Sequence, residues 1–255
     1  MEIFTQIDTW VALLTLTFLE IVLGIDNIIF ISITTSKLPK EKQRKATNIG
    51  LVLAMIFRII LLFGVSYLIA MKDPWVTINT SWVTSEITGQ SIILILGGIF
   101  LLYKSTSEIH HKVEGISAGE EAPKKKVSTL SKVIVQIVLI DIVFSFDSVL
   151  TAVGMTNGID GALIIMITAV VISMIIMMLF ANPVGQFVNK HPTIQMLALS
   201  FLILIGFMLI TEGAHLANTV IFNQHIGAIP KGYLYFAIAF SLGVEALNMR
   251  VRKKK

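Results

Sequence analysis

Long apolar blocks alternate with short polar segments along this chain. Apolar stretches of about 20 residues, the length an α-helix needs to cross a bilayer, recur from end to end. They predict an all-α, polytopic membrane protein, a single transmembrane domain over residues 1–255. The predicted transmembrane helices are seven: Trp10–Ile33, Asn48–Met71, Ile87–Tyr103, Val133–Met155, Gly161–Ala181, Pro192–Thr211 and Lys231–Met249.

Composition excludes several classes of protein. Hydrophobic residues make up 55% of the chain and charged residues 14%, whereas soluble domains average roughly 25% charged. The absence of cysteine excludes disulfide scaffolds, thiolate metal sites and thiol nucleophiles. The chain carries no Gly-rich phosphate loop, His-Glu-x-x-His zinc motif or Gly-x-Ser-x-Gly elbow, so no enzyme is predicted.

Basic residues are distributed unevenly between the predicted loops. Of the 20 Lys and Arg residues, all except Arg58, Lys72 and Lys231 fall in loops on one side or in the C-terminal tail. Because cytoplasmic loops carry the excess of Lys and Arg, the N-terminus is predicted outside and the C-terminus in the cytoplasm of a cell's inner or plasma membrane. The net charge of +4 thus reports topology, and no nucleic-acid partner is predicted.

A polar segment divides the chain into two sets of three helices. Residues 105–131 are rich in Lys, Glu, Gly and Ser and predict a cytoplasmic linker. The two three-helix halves are then residues 7–104 and 132–222, and the seventh helix, residues 231–249, follows them.

The two halves share an acidic motif. Residues 20–27 (EIVLGIDN) and 141–148 (DIVFSFDS) both read acid, Ile, Val, apolar, small, apolar, Asp, small polar. Three helices lead from one copy to the next, so the copies cross the membrane in opposite directions. This predicts a 3+3 inverted repeat, an architecture common in secondary transporters, whose sites lie near the midplane.

The four acids of these motifs are costly in a membrane. Each ionised carboxylate costs about 3 kcal/mol at mid-bilayer, and the set about 10 kcal/mol, which favours a functional ion site. The alternative is that they are neutral or form packing contacts with Arg58, but one Arg does not neutralise four carboxylates. Arg58 is either their counter-ion when metal is absent or a structural salt bridge.

Helical geometry separates the two acids of the first copy. Glu20 and Asp26 are about 9 Å apart along the axis and about 120° apart around it, so a straight helix does not aim both at one ion. Gly24, like the small residue at the equivalent place in the second copy, permits a kink, an unwound turn or close helix approach. Antiparallel helices would set Glu20 level with Asp147, and Asp26 level with Asp141.

The candidate ligands are all oxygen donors. Carboxylates with Asn27 and Ser148 form a hard set that suits Mg²⁺, Ca²⁺ or Mn²⁺ rather than Cu⁺ or Zn²⁺. Asn27 and Ser148 are equally interpretable as helix-packing groups. No permanently bound cofactor is predicted, and the divalent ion would be substrate. The predicted metal ligands are Glu20, Asp26, Asn27, Asp141, Asp147 and Ser148.

Four further polar residues lie nearer the predicted membrane surfaces. Glu212 and His215, near the outer end of the sixth helix, form either an outer vestibule or proton path, or an interfacial pair. Glu245 and Asn248 lie near the inner end of the seventh helix, where they are either a counter-ion or proton relay, or snorkel to the interface.

The motifs resemble the TerC family of integral membrane proteins, named for tellurium resistance. The matching segments are residues 19–27, 101–115, 141–148, 212–213, 230–233, 240–241 and 245–248, which recur in order over most of the chain. The resemblance implies export of metal ions, with Mn²⁺ the best-supported substrate. It carries the six candidate ligands over as the ion site, and Glu245 as a functional acid.

The expected function is therefore a metal exporter that alternates access around a midplane carboxylate site, with proton uptake by the acids as a hypothesis for ion release. One rival is a membrane scaffold that loads metal into exported proteins or assists their secretion. Another is a Ca²⁺ exporter. The sequence does not define the ion's identity, the coupling stoichiometry, the oligomeric state or a secretion-machinery partner.

Overall fold

The computed structural model describes residues 6–64, 67, 69, 71–117, 129–156 and 158–252. Within these residues, seven helices are long and apolar enough to cross a membrane, which confirms the predicted all-α membrane architecture. The helices are α1 Ile7–Thr35, α2 Lys40–Phe63, α3 Gly89–Ser117, α4 Leu130–Thr156, α5 Ala162–Lys190, α6 Pro192–Leu216 and α7 Lys231–Arg252.

Helix α2 begins and ends earlier than its hydropathy predicted. It starts at Lys40, directly after Pro39 at the N-cap, and its first two turns are polar. It ends at Phe63, where the Gly64 N–H donates to the carbonyl of Ile60 at 2.9 Å. A hydropathy window locates the apolar part of a helix, whereas capping residues locate its ends. The predicted range, Asn48–Met71, was therefore shifted towards the C-terminus.

Helix α3 continues well past its predicted end at Tyr103. Its extension carries two pairs at i, i+4 spacing, Lys104–Glu108 and His110–Glu114, each with a nitrogen–oxygen distance of 3.2 Å. Such pairs stabilise a helix outside the apolar span. Residues 105–117 of the predicted linker are therefore helical, and residues 118–128 lie outside the described part of the chain.

A small antiparallel sheet joins two loops and was missed by the all-helical prediction. Its strands are β1 Pro74–Asn79, β2 Val83–Thr88, β3 Val220–Ile221 and β4 Gln224–His225, in the order β1-β2-β3-β4. Val83 pairs with Ile221, so the loop after α2 is hydrogen-bonded to the loop after α6. The β-branched residues of 76–88 signal strands, but six-residue strands are too short for windows sized to membrane spans.

The chain forms two compact units. The first comprises Met1–Ala70 and Lys125–Asn189, with α1, α2, α4 and α5, and the second comprises Met71–Lys124 and Lys190–Lys255, with the sheet, α3, α6 and α7. Each unit thus contains helices from both predicted halves of the repeat, so the units do not coincide with residues 7–104 and 132–222.

In the first unit, two pairs of helices contact each other at positions whose residue numbers increase together along both helices. On α1 and α5, Gly24 faces Met177 and the Ser32 hydroxyl donates to the Gly185 carbonyl at 3.0 Å. On α2 and α4, Gly50 faces Ile137, and further along both helices α2 bonds to Asp141. Both pairs are therefore parallel, as a repeat that relates α1 to α4 and α2 to α5 requires.

In the second unit, α3 and α6 pack backbone to backbone. A Cβ atom on Gly206 would lie 2.9 Å from the Gly98 carbonyl oxygen, and one on Gly213 would lie 2.9 Å from the Ser91 carbonyl oxygen. The residue numbers of the contacting positions decrease along α6 as they increase along α3, so the two helices are antiparallel. Glycine at the crossing is the usual device for close packing of helices in membranes.

Candidate ion-binding site

A buried arginine lies at the centre of the polar cluster in the first unit. Arg58, on α2, is 1% exposed. Its Nη2 donates to Oδ1 of Asp141 at 3.0 Å and its Nε to Oδ2 of the same carboxylate at 3.4 Å, while its Nη1 donates to Glu20. Two carboxylates from different helices therefore share one guanidinium, the geometry for which Arg is better suited than Lys.

Asp141 has further donors on both oxygens. The Asn27 amide donates to Oδ1 at 3.2 Å, and the Ser145 hydroxyl, one turn along α4, donates to Oδ2 at 2.9 Å. Each oxygen of the carboxylate thus accepts two hydrogen bonds. Asp141 is held in one orientation by groups from three helices.

Glu20 is held less firmly. It is buried on α1, and among the described side chains Arg58 alone donates to it. The position equivalent to Ser145 in the first copy of the motif is Gly24, which has no hydroxyl to offer. Gly24 instead brings α1 close to α5, where an added Cβ would overlap the Met177 sulfur. Of the three uses predicted for small residues here, α1 adopts close approach, and it stays helical throughout.

Asn27 presents an unsatisfied oxygen to this cluster. The residue is 4% exposed, and because its nitrogen donates to Asp141, its Oδ1 is left buried with no donor among the groups that the structure describes. Such an orphaned acceptor costs about 1–3 kcal/mol unless a cation or proton donor satisfies it. Glu20 and Asn27 are seven residues apart, so they lie within about 20° on one face of α1. The sequence itself contains this i, i+7 spacing, which is the signal that places Asn27 on the same face as Glu20.

The cluster carries excess negative charge. Glu20 and Asp141 bring two carboxylates, and Arg58 supplies one positive charge. An uncompensated buried charge is strongly unfavourable, so the ionised cluster requires a further cation or a proton. Arg58 contacts both acids, which is compatible with its role as a counter-ion and with its role as a structural salt bridge.

The remaining predicted ligands differ in what the structure describes. Ser148 is buried, and its hydroxyl donates to the Ser145 carbonyl at 3.2 Å, while Asp147 is half-buried. The Asp26 side chain lies outside the described residues. Arg58 links Glu20 to Asp141, two acids that antiparallel helices are predicted to set at different levels, because its long side chain reaches both from a third helix.

The described side chains do not by themselves form a carboxylate metal centre. Among them, no group of three or more His, Asp and Glu residues is placed to hold a metal ion. What converges is two carboxylates, one amide oxygen and a guanidinium. This set binds a cation only if a further ligand joins it or if Arg58 moves aside.

The four outlying polar residues belong to the second unit. Glu212 is half-buried and His215 is exposed, near the end of α6. Glu245 accepts a hydrogen bond from the Thr193 hydroxyl at 2.6 Å and one from the Asn248 amide at 3.4 Å. The Thr193 bond ties α7 to the start of α6, and the Asn248 bond lies within α7.

Comparison with known proteins identifies the family. The model of the integral membrane protein TerC family matches residues 5–255. The UPF0053 inner membrane protein YgdQ of Escherichia coli K12 is 47% identical over 251 residues, covering 98% of this chain and 96% of its own. A UPF0053 protein of Haemophilus influenzae is 43% identical, covering 96% of this chain and 95% of its own.

A longer relative matches this chain over less than half of its own length. The UPF0053 inner membrane protein YoaE of Escherichia coli K12 is 42% identical over 253 residues, which are 99% of this chain and 45% of that protein. No solved structure matches the chain. The family match spans nearly the whole chain, as the motifs predicted, and the chain is a multi-pass membrane protein that belongs to the TerC family.

Proposed function

We propose that this protein is an inner-membrane transporter that exports divalent metal ions, with Mn²⁺ as its substrate, and that the Arg58 cluster is part of its ion site. One observation carries the proposal. A buried guanidinium neutralises Glu20 and Asp141 incompletely, beside an Asn27 oxygen that accepts no hydrogen bond from the described part of the chain. A cluster of this charge and composition attracts a cation made for oxygen ligands.

Arg58 acts in this proposal as the counter-ion of the metal-free state. An arriving ion competes with the guanidinium for the carboxylates. Asp141 keeps its orientation through Ser145 and Asn27, whereas Glu20 exchanges its one described partner. Glu20 is therefore the ligand that changes partner first, and Asn27 turns its free oxygen to the ion.

The further ligands are proposed from the repeat. Asp26 and Asp147 occupy matching places in the two motifs, and they complete an oxygen-rich set with Ser148. Such ligands suit Mn²⁺, Mg²⁺ and Ca²⁺ alike, so chemistry alone does not choose between these ions. Mn²⁺ is the substrate that the resemblance to the family favours.

The transport cycle is proposed as alternating access around this site. Parallel packing of α1 on α5 and of α2 on α4 relates the two copies of the motif as inverted-repeat transporters do. Protons taken up by the acids would help to release the ion. Flux measured with and without an imposed pH gradient tests this coupling, and flux that ignores the gradient contradicts it.

The deciding experiment is Mn²⁺ flux into proteoliposomes that contain the purified protein alone. Asp26→Asn, Asp147→Asn and Glu20→Gln are compared with wild type, and Asp160→Asn, an exposed loop acid, is the matched control. We expect saturable flux in wild type and in the control, and a loss of tenfold or more in the other three.

Each other result rejects a defined part of the proposal. Absence of flux in folded wild type favours the partner-dependent scaffold. Flux that survives the three substitutions leaves a transporter but rejects this site. Uptake of Ca²⁺ in preference to Mn²⁺, measured in competition, makes the protein a Ca²⁺ exporter.

A further inference from the structure

A cavity of about 520 Å³ opens in the first unit, away from the Arg58 cluster. It lies between the last turns of α1, the first turns of α2 and the last turns of α5. Its lining includes Ser32 and Gly185, which are joined by the hydrogen bond from the Ser32 hydroxyl to the Gly185 carbonyl. Its volume is within the range of ligand sites, about 300–1,000 Å³.

Two helices turn polar faces towards this cavity. On α2, the lining residues recur at the spacing i, i+3, i+4, i+7, and on α5 the amide residues of the lining recur at i, i+4, i+7, so each of these sets lies on one side of its helix. The side chains of these stripes that carry charge or amides are Lys40, Gln43, Arg44, Asn182, Gln186 and Asn189. Three amide side chains along one face are unusual on α5, which is otherwise the most hydrophobic of the candidate spans.

The charge of the lining selects the ligand. Lys40 and Arg44 are cationic, and the described lining includes no Asp or Glu. Such a surface repels a divalent cation, so the cavity is poorly suited as the ion's vestibule. Ammonium, guanidinium and amide N–H groups are the donors that bind phosphate.

The rim of the cavity adds an apolar side. Leu179 lines it and is 69% exposed, and Phe180, next to it on α5, is 57% exposed. In a bilayer these side chains face acyl chains. Basic pockets between transmembrane helices bind anionic headgroups, and the positive-inside distribution predicts this end of α1 on the cytoplasmic side.

We infer that this cavity binds the phosphate of an anionic phospholipid, with Lys40 and Arg44 contacting the headgroup and Leu179 the acyl chain. This inference is independent of the transported ion. It assigns the α2 and α5 polar stripes a role in lipid recognition.

The test measures binding of phosphatidylglycerol and phosphatidylcholine to the purified full-length protein by native mass spectrometry. The double variant K40Q/R44Q is compared with K42Q/K45Q, which removes the same charge from the same helix at positions that do not line the cavity. We expect wild type to prefer phosphatidylglycerol. K40Q/R44Q should lose about 10- to 30-fold in affinity, and K42Q/K45Q less than threefold.

Inorganic phosphate distinguishes the source of the ligand. If it displaces phosphatidylglycerol from wild type, the phosphate group alone is recognised, and if it does not, the whole lipid is required. Both results support the site when K40Q/R44Q is selectively weakened. Equal loss in both double variants, or loss in neither, overturns it. So does unchanged lipid binding with faster Mn²⁺ flux in K40Q/R44Q, which would make the cavity an ion vestibule.

Discussion

Ser145 donates a hydrogen bond of 2.9 Å to Asp141, whereas Gly24, at the equivalent place in the other copy of the motif, presents no hydroxyl to Glu20. The two copies therefore hold their first acid differently. One carboxylate is anchored within its own helix, and the other depends on Arg58. This asymmetry makes the two acids experimentally separable.

Removing the Ser145 hydroxyl should loosen Asp141. Ser145→Ala is expected to lower the free energy of unfolding by about 1–2 kcal/mol, because a buried hydrogen bond to a charged group is lost. Unfolding in mixed micelles measures the change. Ser173→Ala is the control, since that buried hydroxyl bonds to a carbonyl of its own helix, and it should change stability by less. Equal losses in both variants contradict an anchoring role.

Arg58→Gln separates stability from ion affinity. It leaves Glu20 and Asp141 without their shared cation, so the free energy of unfolding should fall by about 3–5 kcal/mol. Adding Asp141→Asn to this variant should recover part of the loss, because one unpaired charge is removed.

The same Arg58→Gln variant should bind Mn²⁺ more tightly during transport although it is less stable. If Arg58 competes with the ion, Mn²⁺ flux through folded Arg58→Gln should saturate at a several-fold lower concentration. A purely structural salt bridge predicts no such gain. An unchanged or raised half-saturation concentration, measured at equal amounts of folded protein, therefore rejects the counter-ion role.

The Gly24 contact with Met177 predicts a compensating pair. A Cβ at Gly24 overlaps the Met177 side chain, so Gly24→Ala should destabilise the protein by about 1–3 kcal/mol. Since the obstacle is a flexible side chain, Met177→Ala in the same chain should restore part of the loss. Gly243→Ala, where nothing lies within 4 Å, is the matched control. Additive losses in the double variant argue against this contact.

At the crossing of α3 and α6, by contrast, trimming a neighbouring side chain should not rescue a Gly→Ala variant. A Cβ at Gly206 would approach the Gly98 carbonyl oxygen, which is backbone and has no side chain to shorten. Gly206→Ala should therefore destabilise the protein, and trimming Leu102, whose Cγ would also lie 3.2 Å from the added Cβ, should not rescue it. Full rescue by Leu102→Ala would show that the helices are not in backbone contact.

The spans and the acids could be predicted from sequence because hydropathy and the cost of intramembrane charge act locally. That Arg58 pairs with the acids was also predicted, but not which two of the four it contacts, because this depends on how α2 packs against α1 and α4. The i, i+7 relation of Glu20 and Asn27 is present in the sequence, but it does not by itself favour Asn27 over its carboxylate neighbour Asp26 as a ligand. The cavity joins side chains from segments far apart in sequence, and the sheet pairs strands too short for any hydropathy window.

The shared guanidinium also imposes an order on biosynthesis. Arg58 follows Glu20 by 38 residues, but Asp141 follows Arg58 by 83. At about 5–20 residues per second, about 4–17 seconds separate translation of the Arg58 codon from translation of the Asp141 codon. During that interval Glu20 is the one described acid of the cluster already available. The first two helices should thus insert as a pair, with the Glu20–Arg58 bond formed first and Asp141 joining it when α4 arrives.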